Sequence, residues 1–121
     1  VSGLNLKFEI DFKEWVTKYT EIWIGPFSLT KKEVEILNEI QMIYLQLEEA
    51  GKVTGEIESF LFENRFGIGN ALDYKNLAFR KHLKNLSEKG CIMMKDDRLI
   101  IHKYLIPKKE LSFSFNVKDF E

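Results

Sequence analysis

The stretch IGNALDYKNLAFRKHLKNLSEKG, residues 68–90, limits the possible folds more than any other part of the chain. Phe79, Leu83 and Leu86 recur at helical spacing and form one narrow apolar stripe, while Leu77, Arg80, Lys81, Lys84, Asn85 and Glu88 fall on the other side. Gly90 follows the last periodic residue, where a helix commonly exits through a left-handed position. Upstream, RFGIGNALD reads as a short helix and a tight turn. Downstream, CIMMK, DDR and LIIHKYLI read as strand, turn and strand. A short helix, a longer basic helix and a hairpin in immediate succession leave few ways to bury the stripe.

The remaining segments supply what that unit packs against. In SLTKKEVEILNEIQMIYLQLEEAGK, Thr30 and Glu33 have the spacing of a capping box, and Leu29 and Val34 that of a hydrophobic staple. Val34, Leu37, Ile40, Gln41, Tyr44 and Leu45 or Leu47 then follow the helical period until Gly51 stops it. TGEIESFLFEN predicts another short helix with Ile57, Phe60 and Leu61 inward. At the start of the chain, LNLKFEIDF alternates strictly, with Leu4, Leu6, Phe8, Ile10 and Phe12 on one side, and predicts a half-buried strand. It blends into a helix carrying Trp15, Val16, Tyr19, Ile22 and Trp23, which Asp11 is placed to cap and Gly25-Pro26 to end. ELSFSFNV alternates again, with Leu111, Phe113, Phe115 and Val117 on one face. The expectation is a single domain over 1–121. It has an N-terminal strand and helix at 1–28, a core at 29–106 and a C-terminal strand at 107–121.

Composition bounds the function. With 45% apolar and 31% charged residues the chain is an ordinary globular one, and 121 residues suffice for one real core. The single cysteine, Cys91, excludes an internal disulfide and reads as a small hydrophobe beside Ile92. No apolar run approaches a membrane span and no signal-peptide pattern opens the chain, so a cytoplasmic location is expected. The net charge of −1 is unevenly spread. Residues 1–70 carry seven Lys and Arg against twelve Asp and Glu, whereas residues 71–109 carry ten against four. One basic face is the outcome expected of such a division, and it suits a polyanionic partner.

These segments resemble the winged helix-turn-helix family, most closely its MarR-like branch, over about residues 29–105. LTKKEVEIL is similar to the capped first helix of that fold, IGNALDYKNLAFRKHLKNLSEKGCI to its two crossing helices and the entry to the wing, and KDDRLII to the wing tip. Small phage proteins with compact winged-helix cores look similar too. The resemblance implies an α+β fold: a winged helix-turn-helix core with a β-hairpin wing, here with additional N- and C-terminal strands. Gly69 would lie where the two helices cross, Tyr74 would plug the angle between them, and Gly90 would open the exit into the wing. The stretch between the capped helix and Ile68 is longer than in the family, by one short helix.

The resemblance implies double-stranded DNA as partner, read by the helix that begins near Tyr74. Its DNA-facing residues would be Tyr74, Lys75, Asn76, Leu77, Arg80, Lys81, Lys84 and Asn85, with Lys95 and Arg98 on the wing. Arg and Asn suit base edges and Lys suits phosphates. A transcriptional regulator or architectural factor without catalysis is then expected. The competing expectation is a structural or adaptor protein that uses the fold for protein contacts, for example in a phage particle, because exposed lysines also serve solubility and a fold does not confer a function. Aromatic terminal strands would invite a homodimer or a larger assembly.

Other motifs point to packing. GIGNA lacks the further glycine and the Gly-Lys-Ser/Thr of a phosphate loop. His82 and His102 have no second cysteine to complete a metal set, and Asp96-Asp97 reads as a turn. No nucleophile and base arrangement can be assembled, so no enzyme, cofactor or metal is expected.

Overall fold

The computed structural model describes the backbone of residues 2–107 and the side chains of residues 13–107. Five helices come first: α1 (Ser2–Phe27), α2 (Lys31–Glu49), α3 (Thr54–Glu63), α4 (Arg65–Ala71) and α5 (Asn76–Glu88). A two-stranded antiparallel hairpin follows, β1 (Ile92–Lys95) and β2 (Arg98–Ile101), and then a 3-10 turn at Lys103–Leu105. The architecture is mixed α+β and rich in helix.

The capping box at the start of α2 is formed as expected. The Thr30 amide donates to Glu33 Oε1 at 2.8 Å and the Glu33 amide donates to Thr30 Oγ1 at 3.3 Å. α2 runs through the core and buries Ile36, Leu37, Ile40, Gln41, Tyr44 and Leu45. Ile57 and Leu61 of α3, Phe79, Leu83 and Leu86 of α5, and Leu99 and Ile101 of β2 close around it. Phe60 departs from the expected inward set of α3 and is exposed, since only Ile57 and Leu61 share the face that meets α2 and β2.

Helix ends turn sharply. Gly90 takes φ +83°, and the amides of Gly90 and Cys91 donate to the carbonyls of Ser87 and Leu86, the paired bonds that terminate a helix and redirect the chain. α4 ends in the same way at Asp73 (φ 64°), with Tyr74 N–H donating to Gly69 O at 2.8 Å. This bend sets α5 across α4. The hairpin has Ile92 opposite Ile101 and Lys95 opposite Arg98. Asp96 and Asp97 at its tip both have positive φ, the conformation of a two-residue turn matched to strand twist.

Three expectations are corrected. Residues 4–12 continue α1 and form no strand. Between Gly3 and Gly25 nothing breaks a helix, and once Val16 and Thr20 are packed each further residue adds a hydrogen bond at little nucleation cost. Proline does not end α1 at once either: Pro26 lies in its last turn, and the exit comes at Ser28 (φ 54°). The second strand stops at Ile101, short of the LIIHKYLI reading. His102 Nδ1 accepts the Tyr104 amide, Tyr19 Oη donates to Tyr104 O at 2.8 Å and Gln41 Nε2 donates to Leu105 O at 2.6 Å, and these bonds replace the ladder with a turn. Trp23 stacks on Tyr104 at 5.5 Å, which seats this turn on α1. The expected C-terminal strand, ELSFSFNV, lies outside the described residues.

Long-range polar links lock the frame. Lys89, at the end of α5, reaches back to the Glu33 carboxylate and donates to Ser28 O at 2.7 Å. Burial raises the Glu33 carboxyl, but the bonds from Lys89 and Thr30 outweigh it and hold the group below its ordinary value. Cys91 is fully buried, and its thiol is pushed up to about 11, first by burial and then by the Glu33 charge, with Lys89 opposing. It therefore packs as a hydrophobe and is a poor nucleophile.

Candidate nucleic-acid interface

α5 is divided lengthwise. Phe79, Leu83 and Leu86 are buried, while Leu77, Arg80, Lys81 and Lys84 are exposed on the opposite side; Asn76 is exposed at the N-terminal end of the helix. The division follows from the spacing of the apolar residues, and the crossing with α4 fixes its orientation. At the crossing Gly69 faces the Phe79 ring so closely that a methyl there would sit 2.6 Å from Cγ. The ring thereby seats against α4 backbone and turns the cationic side of α5 outward.

The expected site residues do not all behave alike. Lys75 is the N-cap of α5 without a side-chain cap, and its ammonium is exposed. Tyr74 is half-buried. Its ring lies edge-on to His82 at 5.3 Å and tilted to Phe79 at 6.2 Å, and its hydroxyl is raised by burial and by the nearby Glu35 carboxylate. Tyr74 therefore serves the joint between α4 and α5. Asn85 is also half-buried. Lys75, Arg80, Lys81, Lys84 and Lys95 form no ion pair with a carboxylate among the described residues.

The hairpin cations separate. Lys95 is exposed at the end of β1. Arg98 instead turns to α3, where Nη1 lies 3.9 Å from Glu58 Oε1 and the guanidinium covers Gly55. The tip between them carries two carboxylates, Asp96 and Asp97, which oppose entry into a narrow anionic groove.

One feature escaped the sequence reading. Arg65 lies over the rings of Phe62 (3.9 Å) and Phe66 (4.7 Å), and Arg80 approaches the Phe66 ring at 5.4 Å. The two guanidiniums and Lys84 border a groove of about 510 Å³ between α4, α5 and β1, floored by Leu83 and Met94 and carrying one acid, Glu88. The aromatic platform restricts where Arg80 can point and extends the cationic surface of α5 onto α4. The only sequence signal was an arginine set among phenylalanines, and that carries no direction until the α3–α4 bend is known.

Among the described residues no group of three or more His, Cys, Asp and Glu gathers as a metal site, and no helix is long and apolar enough to cross a membrane. In comparisons with protein-family models, curated proteins and solved structures, nothing matched this chain.

Proposed function

We propose that the chain is a winged helix-turn-helix protein that binds double-stranded DNA, with α4 and α5 as the crossing pair, α5 as the groove-facing helix and β1–β2 as the wing. The observation that carries this reading is the face of α5 on which Arg80, Lys81 and Lys84 stand exposed and without ion pairs among the described residues, backed by a buried Phe79–Leu83–Leu86 stripe. An α-helix fits the major groove, and an uncompensated cationic stripe along it neutralises phosphates while its Arg and Asn reach base edges. The reading assigns a regulator or architectural factor and no catalytic step. Titrating labelled mixed-sequence duplex with the folded protein at low and moderate salt tests it. Binding that weakens linearly with the logarithm of salt is expected. A folded protein without affinity for any duplex at low salt refutes it.

A second reading, an adaptor that contacts protein, draws support from apolar exposure: Leu77 is 82% and Met93 50% exposed. It requires an apolar partner on α5 or the hairpin and no salt-dependent affinity for duplex DNA.

A further inference from the structure

Leu77 is the most exposed large apolar residue described, at 82%. It lies in the first turn of α5, three, four and seven residues before Arg80, Lys81 and Lys84. At 3.6 residues per turn those three cations fall within about 60° of it around the helix axis, so the leucine stands at the N-terminal end of the cationic stripe and in line with it. Among the described residues no other large aliphatic side chain is exposed on α5, since Phe79, Leu83 and Leu86 are turned into the core; exposed Ala78 and half-buried Tyr74 border the stripe. A protein partner that anchors on a leucine usually meets a contiguous apolar patch. A single large aliphatic residue heading a row of cations suits a surface that is anionic with one apolar group in it. The major groove of DNA is such a surface, and its one apolar group at the base edges is the C5-methyl of thymine.

We propose that Leu77 is a specificity-determining residue of this face and contacts a thymine C5-methyl in the major groove. The inference rests on the DNA reading above and adds the base it prefers. The cations fix α5 against the phosphates, and Leu77 then favours thymine over the other bases at one step. Burying one methyl group corresponds to about a fourfold change in affinity.

The test uses duplexes enriched by the protein from a randomised pool. Thymines in the enriched site are replaced one at a time by deoxyuridine, which removes the C5-methyl and leaves every hydrogen-bonding edge intact. The expected result is about fourfold weaker binding at one or two positions for the native protein. Leu77→Ala should bind the thymine duplex about fourfold more weakly and be indifferent to deoxyuridine there. Since Leu77 touches little of the fold, the variant should melt with the parent, and a matched melting curve confirms that affinity and not folding is compared. Native binding that is equal on thymine and deoxyuridine at every position overturns the inference but leaves the DNA reading standing. So does a Leu77→Ala protein that still senses the methyl or keeps full affinity, in which case Leu77 is free for a protein partner. Absence of binding to every duplex at low salt overturns both.

Discussion

Gly69 and Phe79 meet face to face across the α4–α5 joint: a methyl built on Gly69 would lie 2.6 Å from Phe79 Cγ and 2.9 Å from both Cδ atoms. No aliphatic contact is that short, and the ring is held in the core with 1% exposure, so it cannot swing aside. Gly69→Ala should therefore cost about 1–3 kcal/mol, as over-packing does. Gly67, two residues earlier on the same helix, has open space where its methyl would go. There the ordinary helix preference for alanine applies, and Gly67→Ala should stabilise by about 0.5–1 kcal/mol. Denaturant melts of the two variants should move in opposite directions, and parallel shifts would disprove the crossing.

The two sides of α5 make a second comparison. Leu83 and Leu86 are 2% and 0% exposed and pack into the core beside α2. Truncating either to alanine should cost about 2–5 kcal/mol. Lys81→Ala and Lys84→Ala, on the exposed side, should stay within about 0.5 kcal/mol of the parent. Thermal unfolding of the four proteins checks the assignment, which fails if the lysine variants are the damaged ones.

This lengthwise division of α5 was legible in the sequence because a helical stripe and its glycine stop are local signals. So were the capping box of α2 and the close approach required at residue 69. The start of α1 was not. The alternation of Leu4 to Phe12 states that apolar residues are regularly spaced, but a strand also needs a partner to pair with, and local sequence does not say whether one is present. With a packed helix following and no breaker between, helix propagation decides the outcome. The partner of Arg98 was hidden for a related reason. The arginine's charge and its place beside the turn suggested a wing contact, yet its carboxylate partner, Glu58, lies 40 residues earlier on α3, and only the tertiary packing of β2 against that helix brings them together. The Arg65–Phe66–Arg80 platform likewise depends on a bend that no local spacing announces.

Glu33 should make the protein acid-sensitive. Its carboxyl is held below its ordinary value in the folded state. Folding is therefore stabilised by the ionised group at pH values above the unfolded carboxylate pKa of about 4.3, and that contribution is lost as pH falls through the lower folded value. Glu33→Gln removes the anion that Lys89 and the Thr30 amide both donate to, and should cost about 1–3 kcal/mol near neutrality. The difference from the parent should shrink below about pH 4, where the native carboxyl is being protonated as well. Melting temperature followed from pH 7 to pH 3 tests this, and a gap between the two proteins that stays constant over the whole range would rule it out.

The cations predicted from sequence should separate into groups once DNA binding is measured, because the structure gives them different surroundings. Lys84 is exposed and forms no ion pair among the described residues, so Lys84→Gln should weaken binding to all duplexes alike and reduce the salt slope by about one counterion. Arg80 is exposed, with its guanidinium 5.4 Å from the centre of the Phe66 ring. Arg80→Ala should cost about 1–3 kcal/mol on a preferred sequence and less on others, the mark of a base-edge contact. Arg98 is turned toward Glu58 at 3.9 Å on α3, and Arg98→Gln should leave both the affinity and the salt slope close to the parent. As half-exposed ion pairs of this kind contribute about 0–1 kcal/mol, its effect on stability should also be slight. Anisotropy titrations of the three variants at several salt concentrations, each on a preferred and an unrelated duplex, distinguish the roles. Equal losses in all three, with unchanged salt slopes, would mean that α5 is not the helix that meets the phosphates.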